Sequence, residues 1–296
     1  MTITQNPTRP RTRRHAVGNP ERLGKYLMNS IAFTLLIAVS VLMLAPILWA
    51  LSTSLRIPRE SFTLPPKWLP TDFRIGNYGA VFDQVPFFRY VLNSFLVAGT
   101  VVLGQLVTGS MAAYAFARLR FPGRSMLFTI ILSALMVPIQ ATIIPIFVEI
   151  KYLHLNGSLW ALILPGVTSA FGVFLLRQYF LTIPTELEDA ARLDGANQWQ
   201  IFSRVMLPLV TPALAVLAIL TFNNYWNEYF RPLIFLSNRN TFTLPVALVT
   251  LRGDFGSGSI AVVLAGVILS LVPVLLLYLV AQKYLIEGIT LGGVKG

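Results

Sequence analysis

Residues 185–212 read TELEDAARLDGANQWQIFSRVMLPLVTP and form the most polar stretch between two long apolar segments in the second half of the chain. Thr185 and Glu188 have the S/T-x-x-E spacing of a capping box, which predicts that a helix starts at this threonine. Gly195 falls where a left-handed glycine would end that helix, and Asn197 can cap a second helix with a glutamine three residues on. The stretch therefore predicts two short amphipathic helices that are bent at a glycine.

The second of these helices has its apolar residues at helical spacing. They are Trp199, Phe202, Val205 and Met206. We expect this helix to stop against Leu207-Pro208, because proline lacks the backbone N–H that a helix interior needs. In the first helix three acidic residues crowd the first turn, where the helix dipole favours anions.

The composition indicates an integral membrane protein. The chain has 296 residues, of which 55% are hydrophobic and 12% charged, with a mean hydropathy of +0.68; soluble domains have about 25% charged residues. The formal net charge is +11. Because the basic residues lie mostly between apolar segments, they favour membrane orientation and contact with anionic lipid over a nucleic-acid partner. The absence of cysteine excludes disulfides and thiolate sites.

Six apolar segments are each near the length of about 20 residues that crosses a bilayer. We place them at about 26–55, 91–116, 126–150, 159–180, 209–225 with an extension to 235, and 260–284. The chain is then an all-α membrane protein with three parts. These are a disordered basic tail (1–25), a six-helix domain (26–284) whose core (85–284) contains the polar loop 185–208, and a C-terminal tail (285–296).

The distribution of basic residues predicts the orientation in the membrane. With the N-terminus inside, most Lys and Arg residues fall in inner segments, and the basic N-terminal tail contributes the largest group. Six spans then place both termini in the cytoplasm. They also place residues 185–208 there, after the fourth crossing.

The sequence contains none of the enzyme motifs that would assign a reaction to it. It has no G-x-x-x-x-G-K-[ST] phosphate loop, H-E-x-x-H motif or G-x-S-x-G elbow. The histidines, His15 and His154, fall on opposite sides of the membrane in this topology and cannot share a metal or a triad. We expect no catalytic residue, metal or cofactor in this chain. The spans also lack the several buried carboxylates of a proton relay.

The polar loop resembles the EAA loop of permease subunits of bacterial ABC importers. The family pattern is E-A-A, three residues, G, nine residues, I-x-L-P. It is matched in spacing by Asp189-Ala190-Ala191, Gly195 and Val205-x-Leu207-Pro208. Asp189 stands where the family usually has Glu, and Val205 where it usually has Ile. The P-x-x-W-x-P run at 65–70, the N-Y-x-x-x-F run at 77–82 and the G-x-x-x-G-x-V-K-G ending at 288–296 are similar to sugar permeases of the maltose-transporter type.

This resemblance implies the fold of a type I importer permease in the bacterial inner membrane. It also implies four kinds of partner: a second permease, two copies of a cytoplasmic ATPase that bind ATP and Mg, an extracytoplasmic solute-binding protein, and a sugar. The helix Glu186–Ala196 would dock on the ATPase, and the tail residues Gly293 and Lys295 would contact it. The coupling-loop residues so implied are Glu186, Glu188, Asp189, Ala190, Ala191, Asp194, Gly195, Ala196, Leu207 and Pro208.

Two groups of polar residues are candidates for the translocation pathway. Pro138 and Pro145 interrupt the third span, and Gln140 between them is either pore-lining or part of helix packing. The fifth span ends in amides, a carboxylate and aromatic rings, which suit a neutral polyol but also an interfacial band. The candidates there are Asn223, Asn224, Trp226, Asn227 and Glu228.

Other functions stay open from the sequence alone. The chain could serve an ABC importer of another small polar solute. A self-sufficient channel or ion-coupled transporter would work without nucleotide, but it needs coupling carboxylates inside the membrane.

Overall fold

The computed structural model describes residues 20–57, 68–253 and 258–293, with side chains described at 28–57, 68–253, 258–279 and 282. The regular structure of these ranges is helical. The helices are α1 (Pro20–Ser54), α2 (Gly76–Gln84), α3 (Phe87–Arg118), α4 (Arg124–Ser133), α5 (Ile139–Tyr152), α6 (Trp160–Gly166), α7 (Ala170–Thr182), α8 (Glu186–Leu193), α9 (Gln198–Gln200), α10 (Leu207–Leu209), α11 (Thr211–Trp226), α12 (Phe230–Phe235), α13 (Leu244–Thr250) and α14 (Ile260–Gly293).

Four described helical segments are long and apolar enough to cross a membrane. They are Met28–Ser54, Phe87–Arg118, Trp160–Thr182 and Ile260–Leu279. Two bent pairs also qualify: Arg124–Met136 with Ile139–Tyr152, bent by 104°, and Gln198–Leu209 with Thr211–Trp226, bent by 74°. If each pair is one span, there are six, at the positions that the sequence predicts.

The third span breaks at only one of its two prolines. Val137 and Pro138 are extended, with ψ angles of 116° and 141°, because the residue before a proline is driven out of the helical region. Pro145 instead lies inside the continuous helix α5. The expectation that both prolines interrupt the span is therefore wrong for Pro145, whose missing N–H removes one backbone hydrogen bond without ending the helix.

The fourth and fifth spans contain breaks as well. Ser169 is extended between α6 and α7, and its hydroxyl accepts a hydrogen bond of 3.1 Å from the N–H of Gly172, which caps α7. Helix α11 ends at Trp226, and the predicted extension to residue 235 is a separate short helix, α12. Three of the six spans are therefore discontinuous or followed by a break.

The predicted domain boundaries fall inside helices. Helix α1 begins at Pro20 and α14 continues to Gly293, so residues 20–25 and 285–293 belong to helices where the sequence predicted tails. Residues 1–19, the first half of the 65–70 motif (65–67) and Lys295 lie outside the described residues. The chain comprises two compact units, Met1–Ala50 and Leu51–Gly296.

Two buried clusters form the core of the second unit. The larger one lies where α3, α6, α11, α13 and α14 meet, and it includes Val101, Ile163 and Trp226. The smaller one packs the polar stretch 185–210 against α3 and α7 through residues such as Tyr114, Phe180, Phe202 and Met206. Hydrophobic burial therefore holds the loop as part of the folded domain.

Candidate functional site

The polar loop folds as two helices that meet at Gly195. Gly195 has φ +82°, a left-handed conformation that side chains rarely adopt, and a Cβ atom there would have no neighbour within 4 Å. After it, Asn197 Oδ1 accepts a hydrogen bond of 2.9 Å from the N–H of Gln200, and Gln200 Oε1 accepts one of 2.8 Å from the N–H of Asn197. This reciprocal capping box and the glycine bend are both confirmed.

The capping box predicted at Thr185 and Glu188 does not form. Thr185 has helical backbone angles, φ −68° and ψ −27°, and its side chain makes no capping hydrogen bond to α8. The Glu188 side chain points into the protein and is only 3% exposed. Ionic partners on another helix thus take this carboxylate away from the backbone N–H groups that the spacing predicted.

Glu188 lies in a buried ionic cluster. Its Oε1 is 3.1 Å from Arg118 Nε, an ion pair whose angle is not that of a hydrogen bond. Its Oε2 is 3.4 Å from Arg192 Nη2 and accepts a long hydrogen bond of 3.5 Å from the Tyr114 hydroxyl. The carboxylate therefore connects α8 to α3 at two points.

Arg118 connects a third helix to this cluster. Its Nη2 donates a hydrogen bond of 2.6 Å to the carbonyl oxygen of Phe180 and another to that of Ile183, at the C-terminal end of α7. The Phe180 carbonyl also accepts a hydrogen bond of 3.3 Å from the N–H of Ile183. Carbonyl groups at the end of a helix are available to such side-chain donors, and the helix dipole favours a cation there. We call Arg118, Glu188 and these two carbonyl groups the Arg118 junction.

The opposite side of α8 faces outward. Every residue of α8 except Glu188 and Ala191 is exposed, and four of the exposed residues recur at i, i+3, i+4 and i+7, as on one face of a helix. These four are Glu186, Asp189, Ala190 and Leu193, which we call the outer face of α8. The Asp189 side chain is 64% exposed and pairs with Arg192 at 2.8 Å, and Leu193 is 90% exposed. Asp194 and Gly195 continue this surface, whereas Ala191 and Ala196 are half-buried.

Leu193 was not among the predicted loop residues. This leucine is 90% exposed, so it is accessible to a partner that docks on the outer face of α8. The available sequence signal was the heptad-like spacing of Glu186, Asp189, Ala190 and Leu193 on one helical face. The E-A-A pattern alone does not include position 193.

The second arm of the loop also contacts α3. Gln198 Nε2 donates a hydrogen bond of 2.5 Å to the Tyr114 hydroxyl, and the Phe202 ring lies 5.2 Å from that of Tyr114. The chain then continues as a π-helix, Ile201–Met206, into α10. The predicted stop at Leu207-Pro208 is wrong, because Pro208 lies in the first turn of α10, where a missing N–H costs little.

The breaks of the third, fourth and fifth spans surround one cavity of about 590 Å³. This volume is in the range of about 300–1,000 Å³ that small-molecule sites occupy. Polar lining residues include Gln105, Thr168, Ser169, Thr221, Asn224 and Arg231. Membrane transporters commonly bind solutes where discontinuous helices meet, since the freed backbone and polar groups there can face water.

Buried hydrogen bonds fix part of this cavity wall. Gln105 Nε2 donates to the carbonyl oxygen of Gly166 at 2.8 Å, and Thr221 Oγ1 donates to Gln105 Oε1 at the same distance. Arg231 pairs with Glu228 at 2.8 Å and donates to the Tyr225 hydroxyl at 3.2 Å. Gln105 and Arg231 were not among the predicted pathway residues, although polar residues in or beside apolar spans signal such positions.

The predicted pathway residues do not form one group. Asn224 lines the cavity, and Asn223, Asn227 and Gln140 are exposed, with Asn227 Nδ2 donating to the Asn223 carbonyl oxygen at 2.8 Å. Trp226 is only 2% exposed, stacks on Phe222 at 5.5 Å and donates from Nε1 to the Ser270 carbonyl oxygen. In this conformation the Trp226 ring supports the core and is not available to stack on a solute.

Apolar helices long enough to cross a membrane, a polar-lined cavity at the breaks between them and an exposed polar helix in a loop are the features of a membrane permease subunit. The family model for the inner membrane component of binding-protein-dependent transport systems matches residues 105–288, and the chain belongs to that family. It is therefore a transport component of the inner membrane and not an enzyme.

Curated relatives and solved structures agree with this family. The chain is 37% identical to the arabinooligosaccharides transport system permease protein AraQ of Halalkalibacterium halodurans, over 91% of this chain and 96% of the relative. It is 33% identical to the sulfoquinovosyl glycerol transport system permease protein SmoH of Agrobacterium fabrum, over 88% and 93%. A bacterial ABC transporter involved in importing the acidic polysaccharide alginate matches with TM-score 0.78 and 27% identity, over 94% and 99%.

Proposed function

We propose that this permease forms half of the translocation pathway for a carbohydrate and is driven by a separate cytoplasmic ATPase. A second, similar permease would complete the pathway, an extracytoplasmic binding protein would deliver the solute, and two ATPase copies would bind ATP and Mg. The names of the relatives and of the alginate transporter support a carbohydrate as the transported solute. Both termini and residues 185–208 would be cytoplasmic.

The outer face of α8 carries the proposal. A helix that presents Asp189, Ala190 and Leu193 outward, while Glu188 is anchored behind it, has the form of an element that docks in a cleft and moves as a rigid body. Of the neighbouring carboxylates Glu188 and Asp189, Asp189 is the accessible one and would pair with a basic group on the ATPase. Ala190 would allow close approach, and Leu193 would enter an apolar pocket. Gly293 and Lys295 would make an additional contact.

The cavity at the three helix breaks would form this chain's share of the pathway. Asn224 and the hydroxyl groups of Thr168 and Ser169 offer hydrogen-bond partners to sugar hydroxyls. Because the charge of Arg231 is balanced by Glu228, the wall suits a neutral polyol. Asn223, Asn227 and Gln140 would line the approach, and Trp226 and Glu228 would support it from behind.

Co-purification with the neighbouring gene products tests the docking role. We expect Leu193→Asp to strip the ATPase from the tagged permease in mild detergent, while the second permease stays bound. Leu153→Asp is the control, since Leu153 is also exposed but follows α5 and not α8. The proposed function is wrong if the wild-type chain purifies alone and, in nucleotide-free vesicles, transports sugars from a test panel.

A further inference from the structure

The Arg118 junction joins three helices through one guanidinium group. Arg118 is the last residue of α3, its carbonyl partners end α7, and its ionic partner is in the first turn of α8. The side chains of Arg118 and Glu188 are only 7% and 4% exposed. A planar fork with five donors can serve all these partners at once, which a lysine ammonium on its flexible stem does less well.

Stability alone is a poor explanation for this arrangement. Burying an ion pair costs desolvation energy that its attraction often only balances, so an apolar pair would hold the helices about as well. A buried ion pair does fix geometry, because a shift of α8 against α3 separates the Arg118 charge from the Glu188 carboxylate, and a shift of α7 against α3 breaks the hydrogen bonds of Arg118 to the carbonyl groups. The junction therefore makes the inner ends of α3 and α7 follow α8.

The same two helices reach the cavity at the span breaks. Gln105 lines it thirteen residues before Arg118 on α3, which is about 20 Å along a helix. Ser169 lines it directly before α7, whose last carbonyls accept the Arg118 hydrogen bonds. Two rigid helices thus connect the junction to two walls of the cavity, and rigid packed elements are what carries coupling between distant sites.

We infer that Arg118 is the positioning residue through which movement of α8 reaches the cavity, with Glu188 as its partner inside the permease. Displacement of α8 by the ATPase moves Glu188, and Arg118 passes the displacement to α3 and α7 together. Gln105 and Ser169 then change the shape of the cavity. This inference rests on the proposed function, since it needs an ATPase that moves α8.

The experiment follows the cavity directly and requires no knowledge of the solute. Because the chain has no cysteine, Asn224→Cys introduces a single thiol into the cavity wall. In the intact transporter, assembled with cysteine-free partners in nanodiscs, its reaction rate with a positively charged methanethiosulfonate is measured with and without Mg and a non-hydrolysable ATP analogue. The test variant is Arg118→Gln, and Arg120→Gln removes the same charge at an exposed position nearby.

We expect nucleotide to change the labelling rate by about tenfold in the Asn224→Cys background and by less than about twofold with Arg118→Gln. Co-purified ATPase and its hydrolysis of ATP persist in that variant, and Arg120→Gln keeps the full change. A tenfold change that survives Arg118→Gln overturns the inference. Failure of the proposed function shows differently, as a wild-type permease that binds no ATPase.

Two further variants keep the test valid if Arg118→Gln fails to fold. Arg118→Lys keeps the charge beside Glu188 but loses the fork, and the double variant Arg118→Gln with Glu188→Gln leaves no unpaired charge. Assembly is checked by gel filtration and thermal unfolding of the complex. We expect both variants to assemble and both to lose most of the nucleotide-dependent rate change. A change of wild-type size in either assembled variant contradicts the role of Arg118.

Discussion

Gly195 shows how one residue sets the direction of the loop. Its φ of +82° is strained for any residue with a Cβ, but the space around it is open, so the cost of a substitution is conformational and not steric. We expect Gly195→Val to destabilise the loop by about 1–2 kcal/mol and Gly195→Asn by clearly less, because asparagine tolerates the left-handed region. Limited proteolysis between α8 and α9 measures this, and equal cleavage of the two variants would contradict it.

At the residue scale, the features of the loop that depend on neighbouring residues were predictable, and the contact of Glu188 with a distant residue was not. The glycine bend and the capping box at Asn197 depend on residues within a few positions, and both could be predicted. Glu188 also has the local spacing of a capping residue, but Arg118, seventy positions earlier, lies 3.1 Å away and takes its carboxylate. A contact of this kind depends on the packing of α3 against α8, which spacing alone does not contain.

At the scale of helices, the breaks in the spans differ in how visible they are in the sequence. The break at Pro138 follows from the rule that the residue before a proline is driven out of the helical region. The same rule predicts a break before Pro145, but helix α5 continues through that proline. The break at Ser169 has its proline, Pro165, four residues earlier and inside α6. The cavity could not be predicted, because it forms only where the breaks at Pro138, at Ser169 and between α11 and α12 come together in space.

Close packing of α6 against α11 gives a prediction at the same scale. A Cβ on Gly166 would lie 2.6 Å from the Tyr225 hydroxyl oxygen and 3.0 Å from Val101 Cγ2. We expect Gly166→Ala to push Tyr225 away from Arg231 and to destabilise the protein by about 1–3 kcal/mol. Thermal unfolding of the solubilised protein measures the loss.

Gly99→Ala is the matched control for that substitution. Gly99 lies inside the long helix α3, and a Cβ there would meet nothing within 4 Å. Since alanine favours helices more than glycine does, we expect this variant to unfold at the wild-type temperature or above it. A Gly166→Ala protein as stable as Gly99→Ala would mean that α6 and α11 can separate freely.

At the scale of the whole molecule, the apolar composition indicated a membrane protein. The positions of its spans could be predicted because the length of each apolar segment is read directly from the sequence. The two bent pairs leave the number of crossings dependent on geometry, since a bend of 104° at Pro138 suits a re-entrant segment as well as a kinked span. The side of the membrane on which each later loop lies follows from this choice. The coupling role of α8 requires the inner side.

Single introduced cysteines decide the topology, because the chain has none of its own. We expect a membrane-impermeant maleimide to label Asp72→Cys and Lys151→Cys in spheroplasts, and to label Asp194→Cys only after permeabilisation. All three positions are exposed, and they lie after the first, third and fourth predicted spans. If α4 and α5 formed a re-entrant hairpin, Lys151 and Asp194 would exchange sides while Asp72 stayed outside. That exchange would put the outer face of α8 away from any cytoplasmic ATPase, so the labelling result tests the fold and the coupling role together.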